Sequence, residues 1–435
     1  MNTVRNNRQG RIPGGLIWFP LLFCLIGYSV LNRGFAYIGY SPFFIGEFTL
    51  LFYLLSLNHG IYFPKFLGTN AGKIWFAFFT YNLVIFFISA THGPSESIRN
   101  SVIWVYTLFF YIGYYYGKKL IDAEAIGRFE NILLFISLAM ILSNLLYPLN
   151  EYLKEATSFL YNGEALLGNA STVHALFIGF VFYLFFVKKL AFRALWISLG
   201  FFTMVIFVQS RAAMLGVLAV MIYVFLFDNY RYFLKRAKVA LIILVLIGTA
   251  YFASGITLKG HRGEASSSSI KDSIYSIFTE SSDASLQGPR EDRLNWWTDV
   301  LKRTCSSATT FMFGLGFDEI LNDRMDTPST IIRYPHNSFL SVFGFTGIVG
   351  LSLYLSLAAI IFLKIYKSSR SGNEIPVLRW YPIFAIGYFV SAFFSTVFEA
   401  PFHSYVFWVL SGIFYRIAVH KDLAGGFRAG PVVSG

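Results

Sequence analysis

The chain has 435 residues, 56% of them hydrophobic, 19% aromatic and only 13% charged, with a formal charge of +12 and a mean hydropathy of +0.58. Soluble domains carry roughly 25% charged residues, so this composition excludes an ordinary soluble domain. The basic excess would suit nucleic acid or a membrane surface, and its distribution along the chain decides between them.

Apolar runs of near-spanning length recur from Leu16 to Val419. They predict spans at 15–31, 42–57, 74–90, 101–117, 129–147, 171–187, 194–209, 212–227, 239–254, 338–363, 380–397 and 402–415. The first follows a basic start but has no clear A-x-A site behind it, so it reads as an uncleaved helix rather than a signal peptide. With the N-terminus inside, 22 of the 35 Lys/Arg fall on cytoplasmic segments, among them Arg5, Lys118, Lys189, Lys235, Arg236 and Lys367. Short external connections hold four (Arg33, Arg99, Lys154 and Arg211), and the long segment 255–337 holds nine. The basic excess is therefore the positive-inside signal of a membrane protein, and nucleic acid is not an expected partner. Cys24 and Cys305 are too few for a disulfide framework.

The predicted fold is an all-α polytopic membrane protein of about twelve transmembrane helices with one large, mostly helical extracytoplasmic loop. Residues 1–254 hold helices one to nine, 255–337 the loop, and 338–435 the last three helices and a cytoplasmic tail. The N- and C-termini are both expected in the cytoplasm. After a Ser266–Ser269 run, Ile270, Ile274, Ile277 and Phe278 share helical spacing, as in a helix lying on the membrane surface. Gly288–Arg303 predicts a second loop helix, with Pro289 in its first turn, Glu291 and Asp292 just behind, and Lys302 and Arg303 at its end. Leu294, Trp297 and Leu301 make its apolar stripe.

Few residues have chemistry to offer, and they are taken here in chain order. Glu47 is a carboxylate in the external half of the second span; it neutralises Arg211 or Arg33, or it serves structure. Arg211 stands where two apolar spans meet with almost no loop between them. An arginine deep in a bilayer costs roughly 2.5–3.5 kcal/mol on insertion scales. It is either an interfacial side chain reaching for headgroups or an anion ligand facing the bundle. Arg290 and Arg293 open the loop helix as surface charges or as ligands. His336 lies in Arg333-Tyr334-Pro335-His336-Asn337-Ser338 at the mouth of the tenth span. It is a belt residue or a proton acceptor, histidine being the side chain whose unperturbed pKa suits proton transfer near neutrality. Gly344, Gly347 and Gly350 beyond it predict close helix packing. No HExxH, GxSxG, P-loop or CxxC occurs. External acids form no Asp-x-Asp cluster, Asp318-Glu319 being the one pair suited to a cation, so neither a metal nor any other cofactor is expected.

Taken together, Ser210-Arg211-Ala212, Arg293 four before Trp297, Gly314-Leu315-Gly316-Phe317, and His336-Asn337 with Gly347 eleven beyond the histidine resemble the O-antigen ligase and polymerase superfamily. Leu167-Gly168-Asn169-Ala170-Ser171 and Glu399-Ala400-Pro401 with Phe407-Trp408 fit the same pattern. The resemblance is firmest from about 165 to 415. It implies a membrane glycosyltransferase in the bacterial cytoplasmic membrane, acting on its outer face. The donor it implies is a glycan on a polyprenyl (undecaprenyl) diphosphate, and the acceptor a lipid A core or another glycan, with membrane lipids around both. It also implies that His336 is the base and that Arg211 and a loop arginine hold the diphosphate. The spacing to Trp297 favours Arg293 over Arg290, and Glu47, Asn337 and Trp297 are expected to support the site. The ligase and polymerase readings share these residues. A transporter or flippase of lipid-linked sugars would use the same arginines, but such proteins often show repeated halves, and no repeat is visible here.

Overall fold

A computed structural model describes residues 16–40, 43–57, 59–150, 152–153, 167, 174–186, 192–208, 211–227, 230–255, 258–260, 263–266, 284–322, 325–327, 330–331, 333–370 and 375–426. The helices run α1 (Phe19–Val30), α2 (Ile45–Ser56), α3 (His59–Leu67), α4 (Asn70–Ala90), α5 (Leu108–Asp122), α6 (Ile126–Leu145), α7 (His174–Phe186), α8 (Arg193–Thr203), α9 (Arg211–Phe227), α10 (Tyr230–Ala253), α11 (Ala284–Thr304), α12 (Ser338–Arg370), α13 (Trp380–Phe394) and α14 (Pro401–Gly426). Each of the twelve expected spans contains a helix. Among the described residues, five helical stretches (Asn70–Ala90, Ile126–Leu145, Ser338–Arg370, Pro376–Phe394 and Pro401–His420) are long and apolar enough to cross a membrane. Six shorter ones are apolar as well, including Phe19–Val30 and Ala212–Phe227. The fourth expected span is not one rod: Val102–Val105 and α5 are separated at Tyr106-Thr107.

The centre of the bundle is α14, which is buried nearly all round. That follows from a helix with aromatic and aliphatic residues on every face. It packs on α5 through glycines. A Cβ at Gly113 would stand 2.2 Å from the Val409 carbonyl oxygen, and one at Gly412 would stand 2.2 Å from that of Phe110. Gly113 and Gly117 are four apart, so one face of α5 is bare and two backbones touch there. Several polar groups in this interior are paired. Tyr381 pairs with Ser411 at 2.8 Å and Tyr405 donates to the Leu21 carbonyl at 2.9 Å. Outward faces stay apolar, with Leu55, Phe87, Leu241 and Leu246 all exposed, as lipid contact requires.

The structure bears on three expectations about the loop. The first is a mostly helical segment, and its described part mixes helix with short strands. Besides α11 and the short Ala308–Phe313 helix, it carries two hairpins, Leu258–Gly260 with Gly263–Ala265 and Met325–Thr327 with Thr330–Ile331. The expected surface helix at 270–278 lies outside the described residues. Secondly, α11 begins at Ala284, so Pro289 sits in its second turn rather than its first. Thirdly, α11 turns a different face inward. Leu294 and Leu301 are about half exposed (51% and 46%), while Trp296 and Val300 are buried. Residues 296, 300 and 304 repeat at helical spacing as well as 294, 297 and 301 do. Periodicity alone cannot choose between two adjacent stripes.

Candidate active site

The segment from Arg333 to Ser338 connects the loop to α12, and every residue in it is fastened by a different device. Asn337 caps the helix: its side-chain oxygen accepts from the Phe339 and Leu340 amides, both at 3.1 Å, which fills positions a helix start leaves open. The Ser338 hydroxyl accepts from the Val397 and Phe398 amides at 2.8 and 3.1 Å and donates to the Glu399 carboxyl. This ties the start of α12 to the turn between α13 and α14. Burial pushes the Glu399 carboxyl above its usual range, against hydrogen bonds from Ser338 and Ser341 that favour the charged form. Behind the histidine, Arg333 pairs with Glu96, and Tyr334 donates to Asn100 at 2.9 Å.

His336 itself has φ +52, a left-handed backbone that costs a non-glycine residue on the order of 1–3 kcal/mol. Two consecutive indoles of α11 hold it there. Trp297 donates its ring N–H to the Pro335 carbonyl at 2.7 Å. Trp296 stacks on the imidazole, with ring centroids 5.6 Å apart and planes at 30°.

A strap at 314–319 supports this corner, and it explains the glycine pattern. Gly347 has φ +64 and breaks α12 into two helices across a kink. The kink frees the carbonyls of Gly344 and Phe345 from their helical partners, and the strap satisfies them. Leu315 N–H donates to Gly344 at 2.7 Å and Gly316 N–H to Phe345 at 3.2 Å. Gly314 has φ +84, and a Cβ on it would lie 2.3 Å from the Phe345 carbonyl carbon; one on Gly347 would lie 2.6 Å from the Gly314 nitrogen. The Gly344/Gly347 spacing therefore serves contact with the loop segment between α11 and residue 321: Gly344 faces Leu321 and Val300 of α11, and Gly347 faces Met312 and Gly314. Asn100 finishes the strap by donating to the Phe317 and Glu319 carbonyls at 2.8 and 3.1 Å.

His336, Asn337 and Trp297 thus lie at one corner, Trp297 being bonded to the Pro335 carbonyl beside the histidine. Arg293 is partly buried and lies three and four residues before Trp296 and Trp297, so it occupies the same face of α11 one turn away. Arg290 belongs to α11 one turn further on, and its side chain lies outside the described residues. Arg211 is the first residue of α9, directly after a π-helical turn at Met204–Val208 and the undescribed 209–210; its side chain also lies outside the described residues. Gly216, five residues on, faces the Gly387 backbone of α13: a Cβ added to it would stand 3.6 Å from the Gly387 carbonyl oxygen. This fixes Arg211 about 7.5 Å along the axis from that contact, at 1.5 Å per residue. Glu47 does a local job: its carboxylate accepts from the Phe44 amide at 2.9 Å and the Tyr106 hydroxyl at 2.6 Å, closing the start of α2. Glu319 pairs with Arg303 at 2.5 Å. Among the described residues no three His, Cys, Asp or Glu are grouped to hold a metal ion.

Sequence reading missed Trp296, because Trp297 had been assigned to the inward stripe. It also missed Glu399 as a site-adjacent group. The signal for Glu399 was present, a carboxylate flanked by Val397-Phe398 and Ala400-Pro401 between two spans. Glu96 and Asn100, more than 200 residues from the segment they brace, left no local signal.

Residues 194–355 match the family model described as O-antigen ligase. Among curated proteins, none matches the chain. The matched stretch contains Arg211, Arg290, Arg293, Trp297, His336, Asn337 and Gly347, and it leaves Glu47 and Glu399 outside.

Proposed function

We propose, from the match of residues 194–355 to the O-antigen ligase family model, that the protein is a membrane glycosyltransferase. It moves a glycan from a polyprenyl diphosphate to an acceptor hydroxyl on the extracytoplasmic face of the cytoplasmic membrane. The acceptor is a lipid A core, as in a ligase, or a second lipid-linked glycan, as in a polymerase. In the step, the acceptor oxygen bonds to the anomeric carbon while the bond from that carbon to the diphosphate oxygen breaks. The polyprenyl diphosphate leaves with the bonding electrons. The acceptor proton passes to His336, which later returns it to solvent. Arg211 and Arg293 hold the leaving diphosphate, with Arg290 as the outer loop arginine. Guanidinium groups suit this role because they bind phosphate oxygens in pairs and stay charged.

The observation that carries this reading is His336: an ionisable ring on left-handed backbone, pinned by two indoles, inside the family-matched stretch. Strain kept in place by surrounding contacts is characteristic of functional sites. Arginines already supply the positive charge that a divalent cation would bring to the leaving group, so the proposed reaction needs no metal. The test is glycan transfer by purified protein in detergent, with a lipid-linked donor and with EDTA throughout. Transfer under these conditions supports the reading. A protein that binds donor but joins nothing without two compartments is a transporter. Activity that vanishes in EDTA and returns with Mg²⁺ refutes the metal-free step and directs attention to Asp318 and Glu319.

A further inference from the structure

Beside the histidine, α11 and the strap line an open cleft of about 870 Å³ that the proposed chemistry does not use. Its α11 wall is Asn295, Thr298, Asp299 and Lys302, spaced i, i+3, i+4 and i+7, so one face of the helix is a continuous polar stripe. The opposite wall is the strap, with Asp318, Glu319 and Ile320. Arg303 joins the two walls, donating to the Ile320 carbonyl at 3.0 Å and to Glu319 at 2.5 Å. Trp296 belongs both to this cleft and to the stack on His336. Its indole N–H is buried and has no acceptor among the described residues.

The lining decides what fits. Its three carboxylates outnumber its two cations, and one cation is already tied to Glu319. A diphosphate or other anion is therefore disfavoured here. Ile320 and Trp296 are the apolar residues of a wall otherwise made of amide, hydroxyl and charged groups, so an acyl or prenyl chain would lose hydration without compensation. A volume in the ~300–1,000 Å³ range of small-molecule sites exceeds what a single ion needs. Closely set amide, hydroxyl and carboxylate groups beside an indole suit a ligand dense in hydroxyls, which both donates and accepts at each position.

We propose that this cleft binds the neutral sugar chain of a substrate, apart from the arginines that hold the diphosphate, and delivers it past Trp296 to His336. The proposal rests on the glycosyltransferase reading and assigns the residues that meet the glycan. Sugars of either the donor or the acceptor could occupy it, since both share this chemistry.

The test uses the full chain in detergent and two cleft-filling variants, Thr298→Phe and Asn295→Trp. Both positions are exposed on α11, and unchanged melting temperatures verify that the variants fold. The probe is an oligosaccharide cut from the host's own neutral polysaccharide, free of lipid and phosphate, with pyrophosphate as the second probe. The wild type and His336→Ala should bind the oligosaccharide, both fillers should bind it roughly tenfold or more weakly, and pyrophosphate binding should stay the same in all. In transfer assays the fillers should raise KM for one substrate. A rise for the lipid-linked donor assigns the cleft to donor sugars, and a rise for the acceptor assigns it to the acceptor. Oligosaccharide binding unaffected by both fillers, or no oligosaccharide binding by the wild type, overturns the cleft assignment. Wild-type transfer measured in the same preparation judges the glycosyltransferase reading separately. A filler that weakens pyrophosphate instead would show an anion site and overturn the proposal.

Discussion

Replacing Trp297 with phenylalanine removes one hydrogen bond while keeping the aromatic body in place. The bond runs from the indole N–H to the Pro335 carbonyl at 2.7 Å, and Pro335 is buried. An intramolecular hydrogen bond contributes about 0.5–1.5 kcal/mol net, and a buried carbonyl left without its donor costs about 1–3 kcal/mol. That loss falls on the residue next to His336, whose left-handed backbone already sits uphill. If the loop recovers the energy by relaxing, the competent histidine pose becomes rarer by the same free energy, and ~1.4 kcal/mol is a factor of about ten. The Trp296 stack remains, so the expected loss in kcat is roughly 5- to 20-fold, with KM for the lipid-linked donor little changed. The assay is initial transfer rate by purified protein at saturating donor, beside a melting curve. An undiminished kcat in folded protein would refute the claim that Trp297 positions His336. A fall in kcat that merely tracks a lower melting temperature would show general destabilisation instead.

The remaining predictions concern charged groups. Arg211→Ala and Arg293→Ala should each weaken handling of the diphosphate donor, Arg→Lys should rescue poorly because the paired donors of guanidinium are lost, and Arg290→Ala should be milder; donor titrations in the transfer assay check all three. An essential Arg290 beside a dispensable Arg293 would shift the ligand by one turn of α11. Glu399→Gln keeps an acceptor for Ser338 and should leave fold and rate near wild type, whereas Glu399→Ala removes that acceptor and leaves the hydroxyl its contact to the Ser395 carbonyl at 3.2 Å, a loss of about 0.5–1.5 kcal/mol, read as a lower melting temperature. Because the Glu399 carboxyl is raised in the folded chain above about 4.3 in the unfolded one, the folded state holds its proton longer. Wild-type stability should therefore fall relative to Glu399→Gln as pH climbs from about 4.3 through the folded value. Parallel melting curves across that window would contradict a raised carboxyl.

Much of the bundle was legible because a spanning helix must be apolar over its length, and that rule leaves a mark on every window of sequence. Even Arg211, which breaks the rule, was conspicuous for breaking it. Features set by tertiary contact were not legible. Gly347 looks like a packing glycine in a list of three, and only the strap at Gly314–Phe317 reveals that it breaks α12 and hands two carbonyls to another segment. The inward face of α11 was misread because two stripes offset by one residue satisfy the same period, and which one faces inward depends on Val300 meeting Gly344. His336 was visible as a histidine at a span entrance, but its partner Trp296 lies 40 residues earlier, where sequence offers no link. Glu47 was visible as a buried charge, but its contact with Tyr106, from the break before α5, was not.

The central claim is that His336 takes the acceptor proton during glycan transfer, and one comparison tests it most directly. Wild type and His336→Ala, purified in detergent with matched melting curves, are given the same lipid-linked donor and acceptor, and product is followed by mass. The account predicts that the variant still binds donor while transfer falls by roughly 10²–10⁴, the usual worth of a positioned base. Near-normal transfer by well-folded His336→Ala would contradict it.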